Sequence, residues 1–512
     1  MSGTICLNGL RRSGRGIAKN KTAREERLFI GIDLGTSSVK SILIDADDRV
    51  IASASAPLEV SRPHPTWSEQ NPEDWVQGTL STLDRLRDQA PKEMAAVRGI
   101  GLSGQQHGAT LLDAAGKVLR PCMLWNDGRS EAECKEIEAQ FEEISRLTGN
   151  PAMPGFTAPK LLWVRKHEPE IFRQVATVLL PKAYLRYRLT GEMVEEMSDA
   201  SGTLWLDVGK RDWSEDLLAA THMSRKQMPR LIEGNAVSGT LKTELAQRWG
   251  MARAPVVAGG GGDNAAGAVG LGAIHPGDAF VSLGTSGVLW ATTAGFAPNR
   301  NLPIHAFCHA IPKTWHQMGV ILSAASCLSW WAKAAKSNEK ELLGELGNVP
   351  QSPSAVQFLP YLSGERTPHN DPNIRGAFCG LSHDTQRRDL TQAVLEGVAF
   401  AFRDCLAALT EAGTRIKEAD AIGGGSQSRF WLAVLASVLN LPLHRLDAGE
   451  AGGALGAARL GRMAATGESP SEVCRPPKRI ETIAPDPALV EQYEPIYRRY
   501  RSLYPRLKEA MT

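Results

Sequence analysis

Three short turns carry the residues best suited to holding phosphate. Asp33-Leu34-Gly35-Thr36-Ser37-Ser38 offers a carboxylate, a glycine and three hydroxyls. Gly284-Thr285-Ser286-Gly287 repeats the Gly-Thr-Ser core, and Gly423-Gly424-Gly425-Ser426 is a third glycine-rich turn. Bound polyphosphate needs backbone N–H groups that approach closely and small hydroxyls that donate. Any one of these turns alone reads as a structural turn. Three at comparable strand ends point to a nucleotide. Asp263 ends the run Gly259-Gly260-Gly261-Gly262 and is followed by Asn264. Glycines let a ligand approach, and phosphoryl transfer needs a carboxylate that orients or deprotonates the attacking hydroxyl. Asp263 fits that role. Asp33 fits another, holding Mg²⁺ or its waters beside the phosphates. Asp263 also reads as the N-cap of a helix over AAGAVG.

Gly104-Gln105-Gln106-His107-Gly108 places amides and an imidazole between glycines. That suits sugar hydroxyls, and it suits a plain polar turn equally. Better-known nucleotide motifs are missing. No G-x-x-x-x-G-K-[ST] occurs, and the single G-x-G-x-x-G at Gly99, Gly101 and Gly104 is threaded by Val97, Ile100 and Leu102. Those glycines therefore lie within a strand, where a dinucleotide loop would follow one. His305 and His309 bracket Cys308 on what reads as a strand, so they are too far apart to chelate one ion.

The elements that position these residues follow from apolar patterning. Residues 28–33 form a strand, GTSS turns the chain, and VKSILIDADD returns antiparallel, with a third strand at 49–60. AFVSLGTSGVLWA at 279–291 repeats strand, Gly-Thr-Ser and strand about 250 positions later. Two such units opening two halves imply a duplicated fold with a cleft between them. Residues 73–91, 130–148, 428–440 and 488–509 have helical periodicity. Strands are expected at 97–103, within 118–125, and ending in AIGGG at 421–425.

With 512 residues the chain is too long for one core, and two or more domains are expected. Hydrophobic residues make up 42%, charged residues 22%, and the net charge is +2, as in an ordinary globular protein. There is no basic stripe interleaved with aromatics, which argues against nucleic acid. No apolar run of about eighteen residues occurs, so no membrane span is expected. Eight cysteines without a C-x-x-C pair imply reduced thiols and a cytoplasmic location. Residues 1–27 are basic and poor in large apolar groups, which reads as an unstructured tail. A translation start near Leu28 is the alternative.

Together these motifs resemble the FGGY carbohydrate kinases over residues 28 to about 505. IGIDLGTSSVK is similar to the family's first phosphate loop. GFTAPKLLWVRKH at 155–167 and GAFCGL with DLTQAVLEG at 376–397 are similar to its two signatures. SRPHPTWSEQNPEDW, GQQHGATLLD, SDASGTLWLD and YLSGERTPHN resemble its D-xylulose-phosphorylating branch. The resemblance implies an α/β fold of two ribonuclease-H-like domains of the actin/Hsp70/sugar-kinase type with an interdomain cleft. It divides the chain into a tail at 1–27, a sugar-binding domain at 28–272, a nucleotide-binding domain at 273–485 and a C-terminal helix at 486–512. It implies ATP, Mg²⁺ and a small ketose, with D-xylulose converted to its 5-phosphate, and makes a homodimer unsurprising. By position it makes Asp263 the base and Asp33 the acid near metal and phosphates. Gln106, His107, Asp263 and Asn264 become sugar contacts. Gly35, Thr36, Ser37, Gly284, Thr285, Ser286 and Gly423 to Ser426 become nucleotide contacts. The alternatives are another ketose or polyol such as ribulose, glycerol or gluconate, and an ATPase switch with no sugar substrate.

Overall fold

The computed structural model describes residues 27–299, 301–447 and 452–511. The expected basic tail at 1–27 falls, apart from Arg27, outside the described residues. The first sheet holds β1 (Leu28–Leu34), β2 (Ser38–Ile44), β3 (Val50–Pro57), β4 (Val97–Gly104), β5 (Val237–Thr240), β6 (Val256–Ala258) and β7 (Gly261–Gly262). Its order is β5-β6-β4-β1-β2-β3, with β7 also on β4. β1 is parallel to β4 and antiparallel to β2. Every residue of β1 is buried except half-buried Asp33, as an apolar strand covered on both faces requires. β3 instead alternates buried and exposed residues along its second half.

Helix α1 (Asp263–Leu271) leads from this sheet to the second. The second contains β8 (Ala279–Leu283), β9 (Gly287–Thr293), β10 (His305–Cys308), β11 (Trp315–Ile321), β12 (Ala419–Ile422), β13 (Leu443–Leu446) and β14 (Arg479–Ile483). Its order is β10-β11-β9-β8-β12-β13-β14. The central five strands of each sheet therefore share one plan: β3-β2-β1-β4-β6 matches β11-β9-β8-β12-β13. In both, strands one and two are antiparallel across a Gly-Thr-Ser turn, and strands one and four are parallel. The duplication expected from two three-residue turns is present as two copies of one sheet.

The second core gathers around α2 (Ala325–Ala334), α3 (Arg387–Glu411) and α4 (Arg429–Leu439). The final helix, α6 (Pro487–Met511), closes this core with Tyr493, Tyr497 and Tyr500 against Phe400. Helix α5 (Gly453–Thr466) follows β13 in sequence but lies in space on the first sheet. Gly31, Gly99 and Gly101 on the sheet meet the backbone of α5, so a Cβ on Gly101 would sit 1.7 Å from the Ala457 carbonyl oxygen. α5 also crosses α1: Arg459 Nη1 donates to the Val269 and Gly270 carbonyls at 2.9 and 3.0 Å. α1 and α5 are thus the struts between the two sheets.

The G-x-G-x-x-G glycines do lie within a strand, β4. The helical pattern over 130–148 resolves into two helices, Glu131–Gln140 and Ile144–Thr148. No described helix is long and apolar enough to cross a membrane. The seven described cysteines are all free thiols.

Candidate active site

Strand register sets the site. β1 and β7 flank β4, pairing Asp33 with Ser103 and Gly261 with Ser103. All three strands run parallel, so their carboxyl ends open on one edge, where ligands of open α/β sheets bind. Asp33 stands at that edge, with its Oδ1 accepting from Ser103 Oγ at 2.7 Å. Asp263 follows two residues beyond Gly261.

The glycine run before Asp263 has steric causes. Gly260 takes φ +76°, and a Cβ there would lie 2.1 Å from the Leu102 carbonyl oxygen. A Cβ on Gly262 would lie 2.5 Å from Gln106 Nε2. Asp263 is the first residue of α1 and Gly262 is its N-cap, so the expected N-cap is displaced by one position. Asp263 Oδ1 accepts from Asn264 N at 2.7 Å and Asn264 Nδ2 at 2.9 Å. Asp263 is exposed to solvent. Crowding by protein and the nearby Asp33 charge raise its pKa to about 6, against the lowering effect of Asn264. Asp33 is also raised, chiefly by burial, with the Ser103 bond and the Lys40 charge opposing. A carboxylate near pH 6 is mostly ionised at neutral pH yet basic enough to take a proton from an alcohol.

Behind the glycine loop lies a fully buried ionic cluster. Lys182 Nζ is 3.4 Å from Asp199 and 3.5 Å from Glu195. Lys182 and Arg186 both donate to the Gly259 carbonyl. Ser198 Oγ accepts from Gly262 N at 3.0 Å, and its carbonyl takes Gln106 Nε2 at 3.0 Å. The cluster therefore clamps the loop that delivers Asp263. One N–H of the Gln106 amide is used by this clamp, leaving its second N–H and its side-chain oxygen for a ligand.

His107 adopts φ +69°, a left-handed conformation unusual for a residue with a Cβ. Its Nδ1 donates to the Gly202 carbonyl at 2.7 Å. Burial, followed by the Lys160 and Arg366 charges, holds its pKa down at about 3. The ring is thus neutral, and Nε2 remains as an acceptor. Thr157 Oγ1 and Lys160 Nζ, from the Thr-Ala-Pro-Lys signature, both donate to the His107 carbonyl at 3.0 Å. Phe156 packs on the ring at 4.4 Å.

The turns divide into outward and inward groups. Ser37, Thr285 and Ser286 are exposed. Thr36 Oγ1 instead donates to Gln105 Oε1 at 3.1 Å and accepts from Trp125 Nε1 at 2.9 Å. Gly284 and Thr285 carbonyls accept the first N–H groups of α2. A Cβ on Gly423 would lie 3.0 Å from Gly284 N, so the second and third turns touch. Ser426 is buried, with its hydroxyl on the Gly423 carbonyl at 2.7 Å. The third turn continues as a 3₁₀ segment, and Ser428 caps α4. Gly424 and Gly425 line a cavity of about 820 Å³ with Ala325, Leu328, Leu343 and Arg445. Its apolar walls and volume suit a nucleoside.

The structure thus aligns Asp33, Asp263, Asn264 and His107 along the first sheet's edge, and gathers Gly284, Thr285, Ser286, Gly423, Gly424 and Gly425 on the second. The patterning did not signal Lys182, Asp199, Ser198 or Arg366, because each acts through a partner distant in sequence. No group of three or more His, Cys, Asp or Glu side chains that could hold a metal occurs among the described residues.

Comparison with known proteins shows the family. Residues 28–270 match the N-terminal domain of the FGGY family of carbohydrate kinases, and residues 279–465 match its C-terminal domain. The chain is 49% identical to a xylulose kinase from Escherichia coli K12 over 486 residues, covering 94% of this chain and all of that one. A crystal structure of a xyloylose kinase from Brucella ovis superposes with a TM-score of 0.92 at 53% identity, covering 94% of this chain and 100% of that chain. Xylulose kinase from Rhodospirillum rubrum gives a TM-score of 0.88 at 32% identity, covering 95% and 100%.

Proposed function

This chain belongs to the FGGY family of carbohydrate kinases, and from that premise we propose that it transfers the γ-phosphoryl group of ATP to the terminal hydroxyl of D-xylulose. The observation that carries the mechanism is Asp263, held at the cleft by a clamped glycine loop, with a pKa of about 6 beside Asp33. Asp263 orients the sugar's terminal hydroxyl and takes its proton. Asn264 and neutral His107 bind neighbouring hydroxyls. The Gly284–Ser286 and Gly423–Gly425 turns hold the phosphates through backbone N–H groups, and the adenosine fills the adjoining cavity. Closure of the cleft excludes water as a competing acceptor. The choice of D-xylulose rests on the sugar named for the relatives above.

The donor set fits Mg²⁺. A magnesium ion needs one or two protein carboxylates, the remaining ligands being phosphate oxygens and water. Asp33 Oδ1 is taken by Ser103, and the rest of its carboxylate would hold the ion directly or through water. Bound there, the ion neutralises charge on the transferring phosphoryl group. The free thiols and unremarkable surface charge support a cytoplasmic enzyme, and a homodimer is the assembly we expect.

Asp263→Ala tests the mechanism. It should lower kcat by about 10²–10⁴-fold, the range of a positioned general base, while ATP still binds. Turnover at the wild-type rate would remove Asp263 from the chemistry.

A further inference from the structure

Arg366 sits in a loop of the second domain that is tied down at both ends. Glu365 and Asp371 exchange backbone hydrogen bonds at 2.9 and 2.8 Å. Thr367 N donates to the Val320 carbonyl, and Thr367 Oγ1 accepts from Val320 N, so the loop is pinned to β11. The guanidinium is aimed by a relay across the two domains. His305 Nδ1 donates to Asn150 Oδ1 at 2.6 Å, which leaves His305 Nε2 to accept from Arg366 Nη1 at 3.3 Å.

Among the described residues, no carboxylate forms an ion pair with Arg366. Its neighbour Glu365 spends Oε1 on the N–H groups of Leu322 and Arg366. Burial pushes the Glu365 carboxyl up to about 8, so it supplies little charge at neutral pH. Arg366 is half-buried, and none of its nitrogens is buried without a partner, so the donors not used by His305 stay open to a ligand.

Arg366 borders an interdomain cavity of about 230 Å³, with Trp125, Asn126 and Met153 from the first domain and Leu322 and Asn370 from the second. Trp125 is the residue bonded to Thr36 in the first phosphate turn. The Arg366 charge acts on His107 and His305, while Asp263 responds to Asp33 and Asn264. Phe156 and Phe307 each pack on both His107 and His305, and Arg366 bonds His305, which puts the guanidinium on the His107 side of the site.

We propose that Arg366 is a sugar-binding residue delivered by the second domain, donating to ketose oxygens other than the hydroxyl that Asp263 deprotonates. The proposal rests on the sugar-kinase reading above. It makes the sugar a ligand of both domains, so that binding favours the closed cleft.

The test compares Arg366→Ala, Arg366→Gln and Arg366→Lys with wild type in D-xylulose-dependent ADP release, varying each substrate. It adds calorimetric titration of D-xylulose into Asp263→Ala with and without Arg366→Ala. Hydrogen bonds from a charged donor predict a rise in sugar KM and Kd of about 10- to 100-fold for Arg366→Ala. A smaller rise is expected for lysine, with ATP KM held within about twofold. Unchanged sugar KM and Kd in any folded variant overturns the proposal. So does a fall in kcat with both KM values unchanged, which would place the guanidinium on the transferring group. If wild type itself releases no ADP with D-xylulose, the fault lies with the substrate assignment and not with Arg366.

Discussion

Gly101→Ala should damage both stability and turnover, because the struts between the domains depend on backbone contact. The new Cβ would lie 1.7 Å from the Ala457 carbonyl oxygen and 2.5 Å from its carbon, whereas ordinary contact begins at 3.4 Å. Neither atom belongs to a side chain, so no rotamer change relieves the clash, and α5 must retreat by about 1.7 Å. Overpacking costs typically about 1–3 kcal/mol, and a clash between two backbones belongs at the upper end. At about 2–4 °C per kcal/mol for a domain of this size, the melting temperature should fall by roughly 6–12 °C. The first residue of α5 is also involved, since a Cβ on Gly453 would lie 2.8 Å from both Asp33 Oδ1 and Ser103 Oγ. Moving that helix start therefore changes the surroundings of Asp33, and an error of about 1 Å at a reacting centre costs about 10²-fold in rate. Thermal denaturation with steady-state kinetics reads both effects. Gly267→Ala on α1 is the control, because no heavy atom lies within 4 Å of its Cβ. A helical alanine should there be neutral or stabilising by up to about 1 kcal/mol. A Gly101→Ala protein with wild-type melting temperature and rate would refute the close packing of α5 on β4.

The pH profile of kcat/KM should show an acid limb of unit slope near pH 6, since Asp263 must be ionised to act. At pH 5 about one-tenth of the carboxyl is ionised, so the value should lie about tenfold below its plateau. A flat profile down to pH 5 would contradict the base assignment. Glu365 holds its proton to about 8 in the fold, against 4.5 when exposed. Its contribution to stability is thus complete below about 4.5 and lost as the pH rises through about 8. Glu365→Gln should therefore gain in relative melting temperature between pH 5 and pH 9, and parallel curves for the two proteins would disprove it. Gly424 borders the large cavity, and a Cβ there meets nothing within 4 Å. Gly424→Leu should raise the ATP KM without lowering the melting temperature, whereas an unchanged KM would place the nucleotide elsewhere.

Much of the fold was legible because its strands are buried on both faces and its turns are glycine-rich. The two Gly-Thr-Ser turns marked the same junction in both sheets, and Asp263 stood out by following four glycines. Packing partners could not be read the same way. Gly99 and Gly101 were recognisable as strand residues and not a nucleotide loop. Their use against α5 depends on a helix more than 350 residues away. The side-chain directions of Thr36, Gln106 and Ser426 were likewise hidden. A hydroxyl or amide in a turn serves ligand or backbone equally well by composition, and here Thr36 and Ser426 bond within the protein while Gln106 braces the glycine loop. Arg366 escaped notice because its setting, bonded to His305 and without an ion pair among the described residues, exists only in the assembled site.

The most direct test of the whole account is ADP release by the purified protein with Mg-ATP against a panel of ketoses, aldoses and polyols. Strong stimulation by D-xylulose, with little from ribulose, glycerol or gluconate, is the predicted result. ATP hydrolysis that no sugar stimulates would contradict the account, leaving Asp263 without a hydroxyl to deprotonate.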